Sequence, residues 1–255
     1  MARYQVILAY DGTAYQGFQR QAGAETVQGD VEKALRNLGW RGRSILAAGR
    51  TDAGVHATGQ VIAFDLDWKH SEDDLRAAIN AHLPADVAAQ RVVEAHGDFH
   101  PRYDAVSRSY RYHIFCQENR HPLREHFAWR VWQPVDLNRL ALAARLLPGR
   151  HDFAAFGSPL RAGGSTMRTV FEAGWWSIQA QWETPDLVFE ITADAFLFHM
   201  VRRLVAAQVL VGQAKLEVEE LANLLRHPSE TVVQGLAPPD GLVLVNVAFE
   251  TTNNL

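Results

Sequence analysis

Runs of apolar residues broken by polar turns set out the elements of the chain. Tyr4–Tyr10 reads as a strand closed by the turn signal Asp11-Gly12. Thr26 is placed to cap a helix with the stripe Val27, Val31, Ala34, Leu35 and Leu38, which Gly39 stops. Two strands, Ser44–Ala48 and Gln60–Phe64, flank a glycine-bounded loop. Ser71 caps a second helix with Glu72, Asp73 and Asp74 in its first turn, running to about Leu83 and ended by Pro84. Val87–Glu94 is a further strand. The order strand–helix–strand–strand–helix–strand is a split βαβ pattern.

The second half partly repeats this pattern. Ser107–Cys116 alternates as a strand, and Asp136 caps a helix through Leu147 that Pro148-Gly149 ends. Arg168–Ile178 and Leu187–Ala195 are predicted as paired strands. Helices Phe198–Gly212 and Glu217–Arg226 and a last strand Leu242–Phe249 follow. The expectation is an α+β protein of two domains, 1–104 and 105–255, with a ligand cleft where their sheets meet.

Two elements carry unusual chemistry. The helix Phe198–Gly212 is apolar almost all round, as a buried helix is, yet it holds Arg202 and Arg203. A guanidinium taken out of water costs several kcal/mol unless an anion meets it. At least one of the two is therefore expected to face a carboxylate or a bound phosphate. Asp52 and Asp194 are the candidates, and an arginine reaching along the helix to solvent is the alternative. On or beside the strand from Ser107, aromatic and cationic residues interleave: Tyr103, Arg108, Tyr110, Arg111 and Tyr112. Tyr110 and Tyr112 share a face and Arg111 points the other way. Aromatic rings stack on bases and arginines take phosphates, although strand tyrosines also serve as ordinary packing. Tyr15, Phe18 and Arg20, in the loop after the first strand, offer the same chemistry.

The 255-residue chain is 47% hydrophobic and 21% charged, an ordinary globular composition. No apolar run is long enough for a signal-peptide core or a membrane span. Cys116 is the single cysteine, which excludes an internal disulfide and points to the reducing cytoplasm. The net charge of −4 hides an uneven distribution. Residues 101–170 hold 11 Arg against 5 Asp or Glu, whereas residues 171–255 hold 4 basic against 11 acidic. A polyanionic partner fits the basic block, and so does a solvated surface in an arginine-rich chain with 22 Arg and 3 Lys. The 11 histidines show no compact metal-ligand spacing, with His121 and His126 five apart. There is no P-loop and no dinucleotide fingerprint, so no nucleotide cofactor is expected.

The loop Gly49-Arg-Thr-Asp-Ala-Gly-Val-His-Ala57 places one carboxylate, Asp52, in a short turn. Gly49 and Gly54 are expected to supply backbone angles closed to other residues. Arg50 is a nearby candidate ion-pair partner. A positioned carboxylate on a tight loop between strands suits nucleophilic or acid–base catalysis, and an Asp that bonds its own turn is the competing reading.

With the following Thr58-Gly59-Gln60, this loop resembles the catalytic loop of the tRNA pseudouridine synthase A (TruA) family. Tyr10–Gln21, Phe99-His-Pro-Arg-Tyr103, Ser109-Tyr-Arg-Tyr112, His151-Asp-Phe153, Phe196–Arg202 and Ala237–Leu244 resemble further family segments, in family order. Phe18 stands where a Trp is common, and the chain stops soon after the last strand. The resemblance implies a cofactor-free isomerase that converts uridine to pseudouridine at positions 38–40 of the tRNA anticodon stem-loop. It implies two ferredoxin-like halves with mixed, mainly antiparallel sheets around a basic cleft, in a homodimer. By motif position, Asp52 is the essential carboxylate, Tyr110 stacks on the target base, and Arg202 pairs with Asp52. Arg50 supports the flipped nucleotide and Leu244 packs against the base. Arg20, Arg108, Arg111 and Arg124 are expected RNA contacts. A tRNA-binding protein without catalysis and a carboxylate-dependent hydrolase of nucleosides or glycosides are the competing functions. The hydrolase reading requires a second catalytic acid.

Overall fold

The computed structural model describes residues 1–179, 182, 184–228, 233 and 235–250. The protein is α+β, and its chain divides into two compact units. The first holds Met1–Val106 together with the strand residues from Val243 onward, and the second holds Ser107–Leu242.

In the first unit, strands β1 (Ala2–Tyr10), β3 (His56–Leu66), β4 (Val87–Ala95) and β10 (Leu242–Phe249) form a sheet in the order β4-β1-β3-β10, with the short β2 (Leu46–Ala47) also on β3. β1 lies antiparallel to both β3 and β4, and β10 runs parallel to β3, with Leu244 opposite Ala57. Helices α1 (Val27–Asn37) and α2 (Glu72–His82) begin where the sequence places their caps. Thr26 Oγ1 accepts the Gly29 N–H, and Ser71 and Asp74 cap each other's backbone reciprocally. Val27, Val31, Ala34 and Leu35 of the α1 stripe are buried, as are Leu75 and Ile79 of α2, while Leu38, the C-cap, is half-buried.

Of the boundaries that differ from expectation, two bear on the Asp52 loop. The strand read as Ser44–Ala48 is reduced to Leu46–Ala47, because α1 takes the polar groups before it. Glu32 accepts the Ile45 N–H at 3.2 Å and the Gln28 amide donates to Ser44 Oγ at 2.8 Å. β3 starts at His56 rather than Gln60, and there it meets β10. The last strand, expected in a second domain 105–255, therefore belongs to the first unit.

In the second unit, β5 (Ala105–Cys116), β7 (Gly149–Asp152), β8 (Met167–Ile178) and β9 (Asp186–Ala193) are ordered β5-β9-β8-β7, and β6 (Trp129–Val131) pairs parallel to β5. The expected β8–β9 pair is antiparallel, with Trp175 opposite Phe189. Helices α3 (Leu137–Ala144), α4 (Met200–Gly212) and α5 (Val218–Arg226) complete the unit. α4 is buried as its composition predicts. Its Gln208, inaccessible to solvent, accepts the Trp175 indole N–H at 2.9 Å and donates to the Leu204 carbonyl, so burial leaves its amide satisfied. No helix among the described residues is long and apolar enough to cross a membrane.

Candidate active site

Asp52 lies half-buried in the turn that leads into β3. The turn closes with Val55 N–H donating to the Asp52 carbonyl at 3.2 Å, and Gly54 adopts the left-handed φ of 78° that this geometry needs. Gly49 has no positive φ, so the expected backbone role falls to Gly54 alone. The segment Asp11–Gln21 lies as a strap over this turn. Phe18 N–H donates to the Thr51 carbonyl at 3.0 Å, and Gly54 N–H donates to the Tyr15 carbonyl at 3.3 Å. Thr51, just before Asp52, and Gly54, two residues after it, are thus tied to the same strap.

Tyr10, buried at the end of β1, shares a 2.8 Å hydroxyl hydrogen bond with Thr51. Burial pushes the Tyr10 phenol up to about 12, against the smaller opposing effect of bonds to Thr51 and Gln60, so it stays neutral. Leu244, fully buried on β10, sits one strand over at the start of β3. Arg50 is exposed and makes no ion pair among the described residues.

The two strap rings read as candidates for RNA chemistry are packed in the core. Tyr15 and Phe18 are 4% and 1% exposed, which leaves no ring face for a base. The Tyr15 hydroxyl reaches Asp86 at 2.8 Å and Asp30 at 3.1 Å, and burial followed by these carboxylates raises its pKa. Arg20 is bound to the buried Glu32 carboxylate. The Arg20 side chain remains 46% exposed while it neutralises Glu32, an anion that would be costly unpaired in the core.

In the second unit, neighbouring tyrosines of β5 have different surroundings. Tyr112 is fully buried and donates to the Pro238 carbonyl at 2.7 Å; burial raises its pKa well above the usual phenol value. Tyr110 is half-buried, opposite Ile191, with its ring edge-on to Phe196 at 5.0 Å. Arg202, on the first turn of α4, donates through Nε to the Ala237 carbonyl at 2.7 Å. Asp194 is spent on backbone: its Oδ1 accepts the Thr169 N–H at 3.1 Å and the Ala195 N–H at 2.6 Å. Before α4, His199 holds a left-handed φ of 65°, unusual for a non-glycine residue.

The basic block is partly neutralised from within. Arg111 pairs with Glu190 at 2.8 Å, Arg139 with Glu217 at 3.1 Å, and Arg130 with Glu125 at 3.0 Å. Arg124, expected at an RNA-facing surface, is 4% exposed and corrects that expectation. Its guanidinium binds Asp186, Thr184 and the Pro185 carbonyl and lies 4.1 Å from the Phe115 ring centroid. Arg108 donates to the Asp194 carbonyl at 2.9 Å and remains partly accessible.

The structure thus groups Arg20, Arg50, Asp52 and Leu244 in the first unit, and Arg108, Tyr110, Arg111, Arg124 and Arg202 in the second. Within its own unit, the strap, Tyr10 and Leu244 lie around the Asp52 turn. Thr51, Tyr10 and His56, which support that turn, and Phe196, which packs on Tyr110, escape a reading of the sequence by residue chemistry. Their one signal is membership in the motif segments. Among the described residues, no group of three or more His, Cys, Asp or Glu is arranged to hold a metal ion.

Fold and site together define an α+β protein organised around a single carboxylate on a braced turn. The tRNA pseudouridine synthase family model matches residues 6–104 and 143–250. A tRNA pseudouridine synthase A of Chloroflexus aurantiacus is 39% identical over 251 residues, covering 98% of this chain and 89% of the relative. Proteins of the same name from Geobacillus kaustophilus and Streptococcus pneumoniae are 38% and 34% identical over 252 residues each, covering 97% and 98% of this chain and 95% and 100% of theirs. The chain belongs to the tRNA pseudouridine synthase family.

Proposed function

We propose that the protein isomerises uridine to pseudouridine in tRNA, at positions 38–40 of the anticodon stem-loop, with no cofactor. The observation that carries this reading is the Asp52 turn, whose backbone is bonded to the strap on both sides while its carboxylate sits half-buried. Such rigidity suits a group that acts on a reacting centre, because a displaced carboxylate loses catalysis steeply. In the reaction the C1′–N1 bond of uridine breaks, a C1′–C5 bond forms, and the C5 proton is lost as N1 gains one. Nothing is oxidised or reduced.

Asp52 is the essential carboxylate. Tyr110, with Phe196 behind its ring, stacks on the extruded uracil. Arg202 is the ion-pair partner of Asp52, a role supported by its place in a buried helix and by the engagement of Asp194 with backbone. Arg50 holds the flipped nucleotide, and Leu244 packs against the base. Extrusion of a stem base costs a few kcal/mol, which arginine–phosphate contacts from Arg108 and Arg111 offset. Two ferredoxin-like domains around a basic cleft, the second completing the cleft for the Asp loop of the first, frame this site. The order β4-β1-β3 with β2 on the far side of β3 supports that reading of the first domain. The enzyme works in the cytoplasm as a homodimer.

The test is incubation with unmodified tRNA transcripts and site-resolved detection of pseudouridine. Asp52→Ala is expected to lower the rate by at least about a thousandfold and tRNA affinity by less than about tenfold. A wild type that binds tRNA and leaves uridine intact refutes the catalytic reading. Release of free uracil identifies a hydrolase instead.

A further inference from the structure

We infer that the strap Asp11–Gln21 is a positioning device for Asp52 and that His56 is the latch that holds it shut. The inference rests on the catalytic role of Asp52 proposed above. It extends that role to residues that do not meet the substrate.

The strap is fitted to the Asp52 turn by backbone rather than by side chains. At Gly17, with φ 90°, a Cβ would lie 2.8 Å from the Thr51 carbonyl oxygen; at Gly12 a Cβ would strike the Val55 carbonyl. Only glycine allows this approach at either place. Between these points run the two backbone bonds at Thr51 and Gly54. The strap therefore touches the turn before Asp52 and after it, and any movement of the strap is passed to the carboxylate.

Both ends of the strap are fastened. At the near end, His56 is 3% exposed, and its Nδ1 accepts the Gly12 N–H at 3.0 Å. Asp11 Oδ1 lies 3.2 Å from the same nitrogen and already accepts the Thr13 N–H at 2.9 Å and the Thr13 hydroxyl at 2.6 Å. Tyr10, one residue before the strap, is bonded to Thr51.

At the far end, Gln28 accepts the Arg20 N–H at 3.0 Å, and the Arg20 side chain is held by Glu32. Glu32 also takes the Ile45 N–H, which fixes the chain entering the Asp52 turn from its other side. One buried carboxylate thus anchors the strap and the approach to the turn together. Preorganising a reactive group through its supporting residues is worth as much as the group's own contacts when geometry must hold to a fraction of an ångström.

The experiment compares His56→Ala, His56→Asn and Tyr10→Phe in kcat, KM and tRNA binding, with hydrogen exchange at the Gly12 amide. His56→Ala removes the acceptor and is expected to lower kcat by about tenfold or more, with tRNA affinity kept within about threefold. Gly12 loses exchange protection in the same variant. His56→Asn returns an acceptor oxygen close to the Nδ1 position, and kcat recovers to within about threefold of wild type. Tyr10→Phe, conservative and away from solvent, lowers kcat by about three- to tenfold. Unchanged kcat in His56→Ala overturns the inference. If His56→Ala does not fold, an unchanged kcat in Tyr10→Phe overturns it. A folded, exchange-protected His56→Asn as slow as His56→Ala also overturns it, since His56 would then act on the substrate itself. These outcomes are read against an active wild type; an inactive wild type refutes the catalytic reading instead.

Discussion

The strap Asp11–Gln21 and the strand Ala105–Cys116 carry the same side-chain chemistry, aromatic rings interleaved with arginine, and use it in opposite ways. In the strap the rings of Tyr15 and Phe18 are buried and Arg20 is bound to Glu32. In the strand Tyr110 stays half-buried over Phe196, while Arg108 and Arg111 remain partly accessible at its side. The difference is made by what lies opposite. α1 offers the strap a carboxylate with no access to water, and an arginine is the least costly way to bury it. The strand's acid is itself partly solvated: Glu190 is 30% exposed where Glu32 is not exposed at all, while Arg111 and Arg20 keep 40% and 46% of their side chains exposed. Composition identifies residues able to bind RNA; burial decides which of them are available for it.

This contrast is sharpest at Phe18. Phe18→Ala should cost about 4 kcal/mol of unfolding free energy, as for a large ring removed from a packed core, measured by denaturant titration. A loss below about 1 kcal/mol would place Phe18 at a surface after all.

Next in size is Arg124, whose side chain is 3% exposed, unlike Arg111 at 40% in the same basic block. Arg124→Met should cost about 3 kcal/mol by stranding Asp186 and the Thr184–Pro185 carbonyls, and the salt dependence of tRNA binding should not change. Arg108→Met with Arg111→Met should do the reverse. Stability moves little, and the slope of log affinity against log salt flattens by about one per lost phosphate contact. An unchanged slope in the double variant would make the whole basic block structural.

The smallest effect separates the two tyrosines of β5. Tyr112→Phe removes the bond to Pro238 and should cost about 1 kcal/mol without affecting catalysis. Tyr110→Phe should leave stability within about 0.5 kcal/mol and lower kcat if its hydroxyl moves the C5 proton. Equal stability losses would erase the distinction between them.

Much of the fold was legible in the sequence because its signals are local. The caps Thr26, Ser71 and Asp136 mark helix starts within a residue, and the stripe of α1 is buried from Val27 to Leu35. The elements that escaped, β6 and β7, are three and four residues long and exist only because β5 and β8 lie beside them. β3 was read as starting four residues late because His56–Ala57 become strand by pairing with residues near the far end of the chain. At the site, Asp52 was legible as a carboxylate between glycines, and the motif segments marked its relatives. The fates of Arg20 and Arg124 were not. Their anions stand 12 and 62 residues away, a distance that no local pattern spans.

The return of β10 to the first unit has a further consequence for how the protein is made. The sheet that carries the Asp52 turn lacks one of its strands until the segment Leu242–Phe249 has left the ribosome. A nascent chain paused after residue 106 holds every side chain of the turn and its strap, yet β3 still has a bare flank where Leu244 will sit. Synthesis of the intervening 136 residues of the second unit thus delays maturation of a loop translated well before them.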